Sequence, residues 1–132
     1  MRYIKLPKTD LSVSCVSLGT WAFGGDAWGA VDKQDCIDTV SKAIDLGINL
    51  IDTAPMYGLG QAEQIVGEAV KGKRDKLIIA TKCGLIKEGK AIKISLKPQS
   101  IRKEIEGSLR RLNIDYIDLY QSHSADDNVP IE

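Results

Sequence analysis

The chain has 132 residues, enough for one domain, and its 43% hydrophobic and 27% charged residues are those of a folded globular protein rather than a disordered one. Lys plus Arg equals Asp plus Glu at 18 each, so no basic excess exists to grip a phosphate backbone, and nucleic-acid partners are not expected. No apolar run approaches the roughly 18 residues of a membrane-spanning helix, the start MRYIKLPKTD lacks a signal-peptide core, and Cys15, Cys36 and Cys83 fit neither a disulfide framework nor a CxxC metal site, so a cytoplasmic protein without membrane contact is expected.

Tyr3–Leu6 and Ser12–Ser14 alternate apolar and polar residues around turn-prone Pro7-Lys-Thr-Asp10, which predicts a β-hairpin over residues 1–14. Ser14–Leu18 reads as a buried strand stopping at Gly19, and Gly24-Gly25 as a loop. Asp32 is placed to cap a helix over Lys33–Leu46, with Ile37, Val40, Ala43 and Ile44 at helical spacing and Gly47 to end it. Ile48–Asp52 is the next strand. Gln61–Lys71 follows as a helix with Ala62, Ile65, Val66, Ala69 and Val70 on one stripe and Gly72 as its stop.

Lys76–Ala80 is a third strand, apolar on both faces as a parallel strand covered on two sides requires. Cys83–Lys97 is a polar loop or small hairpin. Pro98 suits the first turn of a third helix, with Ile101, Ile105, Leu109 and Leu112 along one face and Asn113 closing it. Lys97 is a weak cap for that helix, and Gly107 weakens its interior by up to ~1 kcal/mol relative to Ala. Tyr116–Tyr120 is the fourth strand. The order is therefore hairpin, then β-α-β-α-β-α-β, an α/β fold of parallel units, with strand ends at 18, 52, 82 and 121.

Chemistry in parallel α/β folds gathers at the carboxyl ends of the strands. Here three successive ends carry an ionisable group, Asp52, Lys82 and His123, and Tyr57 lies in the loop after Asp52. By strand parity Asp52 shares a face with Ile48 and Leu50, Lys82 with Ile78 and Ala80, and His123 with Ile117 and Leu119. An ammonium beside a phenol stabilises phenolate, a carboxylate keeps that ammonium charged, and an imidazole can orient a substrate oxygen. Together the four form an acid–base device for a carbonyl or an alcohol. Each alone has an ordinary structural explanation: a loop-capping acid, a packed tyrosine, a solvated lysine, a hydrogen-bonded histidine. Gly58-Leu-Gly60 offers two glycines of a dinucleotide fingerprint, but Glu63 stands at the third position, which argues against a Rossmann fold. Cys83, next to Lys82, reads either as a thiol of lowered pKa or as an ordinary one.

The stretches SLGTWAFGG, GINLIDTAPMYGLGQAEQIVGEAV, LIIATKCGL and SLRRLNIDYIDLYQSHSAD carry a family likeness. The sequence resembles the aldo-keto reductase superfamily, within it the bacterial branch related to stress-type reductases and potassium-channel β subunits, with Glu63 and Gly67 of the signature around the acid intact. The resemblance implies a (β/α)8 barrel closed at its base by the hairpin, binding NADP(H) without a Rossmann fold and passing hydride between nicotinamide and an aldehyde or ketone. It implies Tyr57 as general acid, Lys82 as its modulator, Asp52 as the partner of Lys82 and His123 as the substrate-orienting group. Thr20, Trp21 and Asp52 carry over as cofactor contacts.

A whole barrel needs about 250 residues. The expectation is therefore one partial barrel domain over 1–132, the N-terminal half: the hairpin at 1–14, then the first four β/α units without the last helix. The loops that grip the adenosine phosphate fall outside it, so little turnover is expected of the chain alone. Two other readings stay open here. One is a non-catalytic interaction or regulatory half-barrel, self-associating through open strand edges; the other is a different α/β enzyme using the same strand-end chemistry without NADP.

Overall fold

The structure, a computed structural model, describes residues 1–26 and 28–130. Strands β1 (Tyr3–Lys5) and β2 (Ser12–Ser14) form the expected antiparallel hairpin, with Ile4 opposite Val13. The hairpin docks on the start of a later strand. Tyr3 donates its hydroxyl to the Gly47 carbonyl at 2.8 Å, the Ser14 amide donates to Asn49 Oδ1 at 2.7 Å, and Asn49 Nδ2 donates to the Ser12 carbonyl at 2.9 Å.

The central sheet is parallel, in the order β3 (Leu18–Gly19), β4 (Leu50–Asp52), β5 (Ile78–Cys83), β8 (Leu119–Ser122). Three helices alternate with these strands: α1 (Lys33–Asp45), α2 (Gln61–Ala69) and α3 (Pro98–Leu112). Asp32 caps α1 as its spacing predicts, its carboxylate accepting from the Asp35 amide at 3.0 Å, a contact worth about 1 kcal/mol. Asn113 closes α3 in the left-handed conformation, and Lys97 offers no side-chain cap. α1 packs on α2 and α2 on α3, so the helices make one layer. Val40, Val66, Leu112, Ile51 and Ile79 are fully buried in the core they share with the sheet.

Alternation leaves Asp52 and Lys82 on the sheet face away from that layer, the side parity assigns them. Both faces of the third strand are buried as its apolar run implies, Ile79 and Thr81 under the helices and Ile78 and Ala80 on the other side. Three strand boundaries move. Ser14–Leu18 is mostly not a strand, because Ser14 turns its backbone and hydroxyl to Asn49, leaving only Leu18–Gly19 in the sheet. The third strand starts at Ile78 because Arg74–Lys76 forms a 3₁₀ turn, and it runs on through Lys82 to Cys83. The fourth begins at Leu119, since the Tyr116 carbonyl and the Asp118 carboxylate are taken by Arg74, at 2.9 and 2.6 Å. The segment after β5 forms the small hairpin, β6 (Leu85–Glu88) with β7 (Ala91–Ile94).

Gly67 marks where two helices touch. A Cβ there would run into the Leu112 carbonyl of α3. Helix propensity alone would make Gly67→Ala stabilising by up to about 1 kcal/mol. The contact predicts the opposite, a loss of about 1–3 kcal/mol in urea unfolding, whereas Gly19→Ala, whose Cβ meets nothing within 4 Å, should cost far less.

Candidate functional site

Three parallel strands deliver the site's side chains to one rim. Asp52 ends β4, Lys82 lies one residue before the end of β5, and His123 follows β8, its amide donating to the Cys83 carbonyl at 2.8 Å. Tyr57 comes from the turn Tyr57–Gly60 between β4 and α2. That turn is unusual: Gly58, Leu59 and Gly60 are all left-handed, with φ of 58°, 52° and 98°. Leu59 bears a side-chain penalty there that its surroundings must offset. Gly58 also sits so close to Gly24 that neither position has room for a Cβ, and the Gly58 amide donates to Asp26 Oδ2 at 3.3 Å. The loop carrying Trp21 is thereby pinned to the turn carrying Tyr57.

The Lys82 ammonium is the centre of the arrangement. Nζ lies 2.8 Å from both Asp52 oxygens, 3.0 Å from the Thr53 carbonyl and 3.2 Å from the Tyr57 hydroxyl. Its side chain is 14% exposed and that of Asp52 32%. A partly dry ammonium needs acceptors on all its protons, and it has them. The His123 ring stands perpendicular to Tyr57 at 6.0 Å between centroids. The four expected catalytic side chains are thus brought together at one rim.

The expected cofactor contacts separate by exposure. Trp21 is 52% exposed and lies 6.4 Å from the Tyr57 ring, and Asp52 keeps an open edge. Thr20 is fully buried, its amide and hydroxyl both donating to the Asp52 carbonyl at 2.9 and 3.0 Å, so it braces Asp52 from below. Cys83 is buried, and burial with the nearby Glu104 carboxylate pushes its thiol up, not down, despite Lys82 next in sequence: alternation turns the two to opposite faces.

Two features escaped the sequence reading. Trp28 stands edge-on to Trp21 at 5.6 Å, and nothing in a loop sequence announces such a contact. Glu63, read from the sequence as a signature residue and as the mismatch to a dinucleotide fingerprint, is fully buried and accepts from Thr81 Oγ1 at 2.7 Å and Arg111 Nε at 2.6 Å. An acid inside the apolar stripe of α2 was the available signal.

A parallel wall with helices on one face and a hairpin at its foot defines part of a (β/α)8 barrel, with polar groups at its carboxyl rim. The sequence profile of the Aldo/keto reductase family matches residues 16–132, and the chain belongs to that family. It is 48% identical to aldo-keto reductase YhdN of Bacillus subtilis, over 100% of this chain and 40% of that protein. To the NADH-specific methylglyoxal reductase of Escherichia coli it is 47% identical, over 93% and 42%. The solved aldo-keto reductase AKR11C1 of Bacillus halodurans, in holo form, superposes with a TM-score of 0.90 at 35% identity, over 99% of this chain and 43% of that one. An aldo-keto reductase of Klebsiella pneumoniae in complex with NADPH superposes at 0.72 and 32% identity, over 89% and 38%. The chain therefore spans about two-fifths of the relatives it matches, and its fold is the N-terminal half of their barrel.

Burial first, and the Lys82 ammonium second, hold the His123 imidazole below its ordinary value of 6.5, while Asp52 pulls the other way. The folded state thus binds this proton less tightly than the unfolded one. Stability falls as pH drops from about 6.5 toward the depressed folded value. His123 is the single histidine, so its NMR titration is unambiguous. The midpoint should lie below 6.5, and Lys82→Met should raise it only partway back, burial being the larger cause; a wild-type midpoint at or above 6.5 contradicts this.

Proposed function

We propose that the chain supplies the proton-donating half of an NADP(H)-dependent carbonyl reductase site. The observation that supports this best is the Lys82 ammonium held by Asp52 at 2.8 Å while it donates to the Tyr57 oxygen at 3.2 Å. Tyr57 gives its proton to the substrate oxygen. As negative charge gathers on the phenol oxygen, the hydrogen bond from Lys82 strengthens, which is transition-state stabilisation by a preorganised cation. Asp52 and the Thr53 carbonyl keep that cation in place. His123, uncharged at neutral pH, is placed to donate a hydrogen bond to the substrate oxygen and fix its direction.

The rim fits a flat ring. The sheet beside Asp52 is open over Gly19, Trp21 offers a half-exposed aromatic wall, and Asp52 presents a carboxylate edge of the kind that binds ribose hydroxyls. When bound, reduced nicotinamide supplies hydride to the carbonyl carbon. NADP(H) is preferred on the likeness to the Klebsiella protein solved with NADPH, although one close relative is named NADH-specific. The substrate class is a small aldehyde or ketone, and the reducing cytoplasm is the setting.

The sheet's edge strands, β3 and β8, are where the rest of the relatives' barrel or a second copy of the chain would pair. Sedimentation at rising concentration separates a stable monomer from self-association. Catalysis is tested by joining residues 1–132 to the C-terminal three-fifths of the Bacillus subtilis relative and following NADPH absorbance with a small aldehyde. Tyr57→Phe should lower kcat by about 10²–10⁴ while nucleotide quenching of Trp21 and Trp28 persists. Undiminished turnover in Tyr57→Phe would overturn the assignment.

A further inference from the structure

We infer that the ion pair between buried Glu63 and half-buried Arg111 fixes the Tyr57 turn and the Lys82 strand relative to each other, making both side chains positioning residues. The inference rests on the reading of Tyr57 and Lys82 given above.

The pair is not explained by stability alone. Apolar side chains of the same volume commonly replace a buried ion pair at no cost, whereas removing one partner strands a charge. What the pair supplies here is direction. Glu63, fully buried, uses both carboxylate oxygens: one accepts from Thr81 Oγ1 at 2.7 Å, the other from Arg111 Nε at 2.6 Å. Thr81 immediately precedes Lys82 in β5, so the carboxylate anchors that strand from its helix-facing side. Arg111, on α3, also lies against Gly60, the last residue of the Tyr57 turn, where a Cβ would collide with Arg111 Cδ. On the α3 side, a Cβ at Gly107 would come within 3.0 Å of its guanidinium, and Ser108 Oγ accepts from it at 3.2 Å.

Two glycines on different elements therefore leave the space in which Arg111 lies. One side chain touches the Tyr57 turn directly and the Lys82 strand through Glu63. The turn's three consecutive left-handed residues give it little local reason to hold its shape, so an outside brace is what its backbone requires. The Tyr57–Lys82 contact at 3.2 Å joins two segments that share this brace.

The 132-residue chain itself serves for the test. Reductive methylation of each lysine is followed by mass spectrometry, with alkylation of buried Cys36 on α1 reporting opening of the whole core. In the wild type, Lys82 should react at least about tenfold more slowly than exposed Lys33, given its three acceptors. Arg111→Met should raise the Lys82 rate about fivefold or more with Cys36 unchanged, and Arg111→Lys should restore most of the protection. Thr81→Val, nearly isosteric, removes the strand's link to Glu63 without stranding a charge on Arg111 and should give a smaller rise in the same direction. Unchanged Lys82 protection in either folded variant, or a rise only in step with Cys36, overturns the inference and leaves the site intact. A wild-type Lys82 as reactive as Lys33 overturns the Asp52–Lys82 pairing on which both readings stand.

Discussion

An ammonium ion drawn partly out of water has three protons to satisfy, and Lys82 satisfies them on three different groups: the Asp52 carboxylate, the Thr53 carbonyl and the Tyr57 hydroxyl. Two of these belong to the end of one strand and the third to the turn that follows it, while the lysine comes from the neighbouring strand. Parallel register is what makes this meeting possible. Asp52 pairs with Ala80, so Lys82 rises one pleat above it on the same face and reaches down to the carboxylate. A one-residue slip would turn Lys82 into the helix layer and break every contact at once.

The remaining architecture reads as support for that meeting. Thr20 holds the Asp52 carbonyl from one side. The paired glycines at 24 and 58 clamp the loop of Trp21 against the turn of Tyr57. Glu63 and Arg111 brace the same turn and the same strand from behind. Charge thus lies on both faces of the strands' carboxyl ends, and a further ion pair, Arg74–Asp118, ties the opposite ends of β5 and β8, while the deeper core of Val40, Ile51, Val66, Ile79 and Leu112 is apolar. Among the described residues, no helix is long and apolar enough to cross a membrane.

Much of this was legible in the sequence because it depends on local rules. The caps at Asp32 and Asn113, the helix stripes and the strand ends follow from short-range periodicity and turn chemistry, and the parity of Asp52 and Lys82 follows from the pleat. The hairpin of β6 and β7 was open between two choices because no buried face marks it: Leu85 and Ile86 are only half-buried and Ala91–Ile94 is exposed throughout, so its apolar residues follow no core-facing alternation. The strand starts went astray where long-range polar contacts replaced ladder bonds, at Ser14 with Asn49 and at Tyr116 with Arg74. Neither partner is near in sequence. Arg111 against Gly60 was beyond reach for the same reason, while Trp28 beside Trp21 is close in sequence but lies in a loop with no regular period to read.

The shared ammonium is most directly tested by ¹⁵N NMR of lysine side chains in the chain at neutral pH. The Lys82 Nζ signal should be protected from exchange with water, lost in Asp52→Asn and shifted in Tyr57→Phe. A Lys82 ammonium exchanging as fast as the surface lysines, and indifferent to both substitutions, would contradict the shared ammonium.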